Sequence, residues 1–522
     1  MGDLLAGPER GASYWRSLLA TVRRATSWTS NIRVLKAATL LGLAVLAVCA
    51  GAGGDLTAKP ARPPAGAGER AVARVRERLS LDVAALQAHR PGYPFWRYVF
   101  QIPDGEVLFG SARDGRLLAR FPARSDWVSG ARWEDETLAG ALEGRPLAKR
   151  LSDRRDQVAR LLEPAVGPVV HNETRGDFVL RNVPRFGGFL DEWAAIYERF
   201  GAPAEIGLAQ AMVESGFSGT VRSRANALGL CQWLKKNWTA LDRLTPHVIE
   251  VQNQTTQAAY CAAFLTVLAT KYGSFIPALS EHHAGAANVG KVLINGERLG
   301  AADVRERYFA GSEFAHDLRA VSTRRFRDLV GTYGTRSYLY SEMVFGNVGS
   351  VDSLRASVPQ ERIYAMRTSR ALTLREITRA TGLSEREVKR FNPALVRQVP
   401  RGATLYLPEP AERFGPDVSF WHRPASPEFS ETLAEFVALD VGPERWEDPA
   451  FESVLVDFRR RFRETQTEEG TVMDAVLGYV LQQIPTTRRV LDQFRASPKV
   501  QQAFEAGLEE WRALLGEAEP IS

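Results

Sequence analysis

AQAMVESGFSGTVRSRANALGLCQW, residues Ala209 to Trp233, is the stretch on which the reading of this chain turns. It continues a helix that opens after Pro203, is apolar through Ile206, Leu208, Met212 and Val213, and reaches Glu214 before Ser215-Gly216 breaks it. A carboxyl at that point meets apolar neighbours and the negative end of a helix dipole, and both disfavour its anion. Cleavage of a glycosidic bond requires an acid still protonated near neutral pH, and Glu214 is expected to be one. The helix break beside it leaves room for a substrate. A lone Glu at a helix end is ordinarily a surface residue, so the case rests on what surrounds it.

Glu214-Ser215-Gly216-Phe217, followed by Ser223-x-x-Asn226-Ala227-x-Gly229-Leu230-x-Gln232, resembles the lytic transglycosylase family related to goose-type lysozyme. That family carries Glu-Ser-x-Phe and then Ser-x-x-Gly-Ala-x-Gly-Leu-x-Gln. Asn226 replaces a Gly, an exchange the left-handed backbone region tolerates. Further along, His282-His283-Ala284-Gly285 stands where the family has Tyr-Asn-Ala-Gly. Thr335-Arg336-Ser337-Tyr338 stands where it has Glu-Thr-Arg-x-Tyr, with Gly334 in place of the Glu. The resemblance implies a mainly α protein with a lysozyme-like catalytic domain over residues 184–350. It implies Glu214 as catalytic acid/base and Ser215, Ser223, Gln232, His283 and Tyr338 as residues that hold the carboxyl or the sugar.

Glu281 is the nearest second carboxylate, at a position with no family role. With one acid, the implied reaction on peptidoglycan is an intramolecular displacement between N-acetylmuramic acid and N-acetylglucosamine. It leaves a 1,6-anhydromuramic end and needs neither a metal nor an organic cofactor. His283 is where the chain departs from the pattern, because an imidazole takes up charge where an amide does not. A lysozyme-type muramidase and a non-catalytic peptidoglycan-binding scaffold stay open as alternatives.

From Ile363 to Pro408 a strand, a helix with Leu374 and Ile377, a second helix ending Phe391-Asn392-Pro393, and Pro400-x-Gly402-x-x-Leu405-x-Leu407-Pro408 resemble a LysM module. That family is a βααβ unit that binds N-acetylglucosamine-containing glycans. Ser369-Arg370-Ala371 replaces its usual Gly-Asp turn. A module at 362–408 behind the catalytic block most resembles the membrane-bound lytic murein transglycosylase D type.

The remaining sequence sets compartment and organisation. The 522 residues are 45% hydrophobic and 25% charged with a net charge of +6, which is globular composition with mild, interleaved basicity. No zinc finger or Gly-rich phosphate loop is present, the seven His lack metal spacing, and no nucleic-acid partner is expected. Residues 1–54 combine a basic leader (Arg10, Arg16, Arg23, Arg24, Arg33) with an uncharged run, Ala37 to Gly54. They read as a signal anchor or signal peptide, placing the chain in the cell envelope and facing the periplasm. Membrane anchoring through 37–54, cleavage near Ala50-Gly51-Ala52, and a lipoprotein at Cys49 are the options. A Pro/Gly/Ala linker fills 55–68.

Residues 69–183 read as helix, a short β-meander between two Asp-Gly turns, and helix again. Residues 409–522 read as a polar helical tail, either a solvated hairpin or an appendage for an envelope protein partner. Cys231 and Cys261 are left as an even pair, a disulfide in an oxidising compartment or two buried thiols.

Overall fold

The computed structural model describes residues 66–515, apart from 125, 242, 243, 246, 331–338 and 440–447. The leader, the 37–54 segment and Tyr338 therefore lie outside the described residues. Among the described residues no single helix is long and apolar enough to cross a membrane.

The N-terminal unit starts with α1 (Ala67–His89). Its buried Asp82 accepts hydrogen bonds from Ser274 Oγ, the Phe275 amide and Arg305 Nε, each at 2.6 Å, which fixes α1 to the helical block behind it. Strands β1 (Glu106–Ser111), β2 (Leu117–Pro122) and β3 (Arg132–Trp133) form the expected meander. After α2 (Leu151–Val166), β4 (Val169–Glu173) returns to pair with β1, giving an antiparallel sheet in the order β3-β2-β1-β4. Phe109, Phe121, Trp127, Leu138 and Leu162 close a separate small core between sheet and α2.

The helical block contains α3 (Leu190–Arg199) and α4 (Ala204–Ser215), then a two-residue hairpin of β5 (Ala227–Leu228) and β6 (Trp233–Leu234). Next come α5 (Gln254–Tyr272), α6 (Phe275–Ala284), α7 (Ala286–Arg298), α8 (Val304–Val321) and α9 (Tyr340–Gly346). Nearly every residue of α5 is buried, as an all-round apolar helix must be. Its N-cap Asn253 accepts the Thr255 and Thr256 amides, and Gly273 ends it in the left-handed region. The molecule is mainly α, as the sequence led us to expect.

Residues 364–407 follow the βααβ order: β7 (Tyr364–Arg367), a short β8 (Leu372–Thr373), α10 (Leu374–Thr381), α11 (Glu385–Phe391), a short β9 (Gln398–Val399) and β10 (Thr404–Leu407). β7 pairs with β10 and β8 with β9, and both helices open with a capping box. The unit is docked through buried Glu250, which accepts from Arg367 Nη1 at 2.9 Å and Thr404 Oγ1 at 2.7 Å.

The C-terminal residues differ from the solvated hairpin that the sequence allowed. α12 (Pro427–Val437), α13 (Pro449–Glu464), α14 (Glu468–Ala496) and α15 (Pro498–Leu515) carry Phe429, Phe436, Phe462, Leu477, Leu491 and Trp511 into the same core as α5. Trp511 Nε1 donates to Asp317 on α8 at 2.9 Å, and Arg199 pairs with Glu469 at 3.1 Å. The polar residues of the sequence line only one face of each helix, and the apolar face is buried against partners remote in sequence.

Candidate active site

Chain reversal after α4 builds the site. Gly216 is left-handed at φ 56°, and a Cβ there would meet the Phe178 carbonyl oxygen at 2.8 Å, so glycine is required. Phe217, Asn226 and Gln232 also have positive φ (72°, 59° and 51°), three of the four non-glycine cases among the described residues. For Phe and Gln this conformation is unfavourable, on the order of 1–3 kcal/mol each, and such strain clusters at functional sites. Tertiary contacts hold it. Gln257 on α5 accepts the Leu230 amide at 2.7 Å and donates to the Gly219 and Val251 carbonyls. A disulfide joins Cys231 to Cys261 on α5, which settles the two options left by the sequence.

A cleft of about 690 Å³ runs over this loop and contains Glu214. The Glu214 side chain is 13% exposed. Tyr340 OH donates to Glu214 Oε1 at 2.5 Å, and Gln210 Nε2 donates in turn to the Tyr340 oxygen at 3.4 Å. His283 Nδ1 and His282 Nε2 lie 3.9 and 4.0 Å from the same carboxylate oxygen. The His283 ring stacks on Tyr340 at 4.5 Å between centroids. His282 Nε2 is 2.7 Å from the Cys231 carbonyl; a carbonyl only accepts, so this nitrogen carries a proton.

The electrostatics correct one expectation. Burial does push the Glu214 carboxyl up, but His283, His282 and the Tyr340 hydroxyl together outweigh it and hold it below the usual carboxylate range. The two imidazoles and the Tyr340 hydroxyl are remote in sequence and meet only in the fold. Burial lowers His282 below the usual imidazole range, with Glu214 pulling the other way. Burial and the Glu214 charge raise Tyr340 well above the ordinary phenol range, so it remains a donor at any working pH.

The other expected residues take varied places. Ser215 is buried, and its hydroxyl donates to the Ala211 and Leu230 carbonyls at 3.1 and 3.0 Å, so it braces the loop instead of facing the cleft. Ser223 lines the cleft while its Oγ accepts the Ala225 and Ala227 amides. Gln232 lines the cleft with its amide nitrogen on the Val221 and Gly229 carbonyls. His283 lines it as well. Among the described residues Tyr340, two residues after Tyr338, is the tyrosine found on Glu214; in the sequence it is one of two closely spaced tyrosines with nothing to separate them. Glu281 lines the cleft, but Lys271 Nζ holds its Oε2 at 2.6 Å and Tyr272 OH donates to the same oxygen.

Among the described residues one group has metal-ligand spacing, Glu313, His316 and Asp317. Its carboxylates already have partners, Arg90 on Glu313 and Trp511 on Asp317, and none of the three lines the cleft.

The walls of the cleft come from distant parts of the chain. Phe100, Asp104, Arg175 and Phe178 belong to the N-terminal unit, while Tyr479, Val480, Gln483, Ile484 and Thr487 lie on α14. No curated protein matches the chain closely enough to serve as a relative. The loop, Glu214, Gln232, Glu281 and both histidines fall within residues 192–302, the segment that matches the family described as the Transglycosylase SLT domain.

Proposed function

We propose that this protein is a lytic transglycosylase that cuts peptidoglycan glycan strands between N-acetylmuramic acid and N-acetylglucosamine. The observation that carries the reading is one cleft carboxylate, Glu214, set against Tyr340 and two imidazoles, while Glu281 is held by Lys271 and Tyr272. Asp104, the remaining carboxylate lining the cleft, belongs to the exposed N-terminal wall, where its Oδ1 accepts the Asp177 amide at 3.1 Å. Two-carboxylate glycosidases need a second group to attack the sugar or activate water. With one, the nucleophile comes from the substrate. Glu214 gives its proton to the glycosidic oxygen, and the C1–O4 bond breaks. The muramic 6-hydroxyl closes onto C1 and its proton passes to Glu214, restoring the acid. An internal hydroxyl acts at high effective concentration.

Substrate binding gives the depressed carboxyl a route to its acid form. A bound sugar covers the imidazole, whose side chain is 33% exposed in the open cleft. Water exclusion by the sugar disfavours the Glu214 anion and so favours its acid form. Tyr340 holds the carboxyl oriented throughout.

The 364–407 unit is proposed to add affinity for N-acetylglucosamine-containing glycan, in keeping with its βααβ order. Residues 37–54 are proposed to keep the protein at the membrane on the periplasmic side, by anchor or lipid. The test of the reading is digestion of purified sacculi by the wild type and by Glu214→Gln, an amide of the same shape that cannot cycle a proton. We expect wall solubilisation to fall about a thousandfold while the variant still sediments with sacculi. Equal solubilisation by both would overturn the reading, and absence of digestion by either would favour a glycan-binding scaffold.

A further inference from the structure

The cleft is unevenly charged. Four cationic side chains line it: Arg175, Arg222, Lys236 and Lys271. Lys271 is neutralised by Glu281 at 2.6 Å. Arg175, Arg222 and Lys236 are all exposed, and none of them forms an ion pair among the described residues.

Arg175 differs from an ordinary surface arginine in how it is placed. It lies two residues past the end of β4, and its amide donates to the Val99 carbonyl at 2.7 Å, while the flanking Thr174 and Gly176 amides donate to the Glu106 and Ile102 carbonyls. Three successive anchored amides fix the direction in which the side chain leaves the backbone. Phe100 and Phe178, packed edge to face at 6.2 Å, line the cleft beside it. Partial desolvation by this wall lowers the Arg175 pKa from its usual value, with Asp104 and Glu173 pulling it back, and the exposed guanidinium has no ion pair among the described residues. A guanidinium in that state gains most from a planar bidentate anion, which means a carboxylate.

In a peptidoglycan strand the sugar backbone is uncharged, and the peptide stems carry free carboxylates. We propose that Arg175 reads a stem carboxylate on the strand that lies across Glu214, which makes the N-terminal unit a substrate-selecting wall. The proposal rests on the glycan-cleaving reading above. Arg222 and Lys236 at the rim draw the same polyanion toward the cleft without fixing its position. The neutral face of α14, with Gln483 and Thr487, is suited to sugar hydroxyls instead.

The experiment compares the wild type with Arg175→Ala and Arg175→Gln on three glycan substrates. One carries intact stems. The second carries stems whose carboxylates have been converted to amides with carbodiimide and ammonia. In the third, an amidase has removed the stems and left only the lactyl carboxylate. On intact stems both variants should lose roughly tenfold in kcat/KM, mainly through KM, as expected for one charge-assisted contact. On amidated and stripped strands, wild type and variants should be equal. An equal loss on all three substrates means a structural role and overturns the proposal. A loss retained on stripped strands assigns the lactyl group and overturns the stem. No loss on intact stems also overturns it. Absence of cutting by the wild type on any substrate is a failure of the parent reading, distinct from all of these.

Discussion

The floor of the cleft and its walls are built in opposite ways. The floor, from Glu214 to Gln232, is a short irregular loop with three positive-φ side chains, held in place by Gln257 and by the Cys231–Cys261 bridge. The walls are helix ends and the short segments flanking β1 and β4 in the N-terminal unit, and one face of the long helix α14. Strain is placed where a carboxyl, a tyrosine and two imidazoles must converge within 4.0 Å, and regular structure is placed where a polymer must lie. The comparison teaches a division of labour: the floor governs the chemical step, and the walls govern what is bound and how tightly.

The division can be broken by kinetics. Tyr340→Phe removes the donor at 2.5 Å from Glu214 and leaves the ring on His283. We expect kcat to fall roughly 10- to 100-fold with little change in KM, as for loss of one charge-assisted hydrogen bond in a buried site. A rise in KM with kcat intact would place Tyr340 among the walls. Gln483→Ala on α14 should do the reverse, raising KM by about two- to fivefold with kcat unchanged. Gln483 is exposed, so the fold should survive the change. A kcat loss there as large as that of Tyr340→Phe would dissolve the distinction.

A different kind of effect, on stability, concerns the support behind the floor. Glu342, two residues after Tyr340, is buried against Arg90 Nε at 2.9 Å, and burial raises its pKa to about 7 despite the arginine. Folded protein therefore binds a proton that unfolded chain releases near pH 4.5, and stability falls as pH rises from about 4.5 to about 7. Asp82, raised to about 6 by burial, acts with the same sign in a lower window. Thermal melts across pH 5 to 8 should show this decline, and Glu342→Gln should remove roughly 2 kcal/mol of it, leaving the Asp82 share. An unchanged slope in the variant would mean that the Glu342 carboxyl is already ionised throughout.

How much of this could be read in the chain follows the same division. Glu214, Gln232 and His283 were legible because a local motif places them in one loop or at one helix end. Tyr340 was not, because its contact with Glu214 exists only once the start of α9 is packed against α4. The depressed Glu214 carboxyl was not legible either. Helix position and apolar neighbours are local and both push upward, whereas the groups that reverse them arrive from α6 and α9. Ser215 looked like a sugar contact and is instead a brace, since the Leu230 carbonyl that turns its hydroxyl inward comes from the far end of the loop. The α14 wall had no sequence signal. Its cleft-facing residues are unremarkable, and only the docking of Leu491 against Gly290 and of Tyr479 over Trp233 brings them there.

The central claim is that one carboxylate works without activating water, and the products record it directly. Mass spectrometry of muropeptides released from purified sacculi by the wild-type protein should show glycan ends 18 Da lighter than hydrolytic ones, as 1,6-anhydromuramic ring closure requires. Reducing muramic ends as the main product would contradict the account and would require a second group in the cleft to activate water.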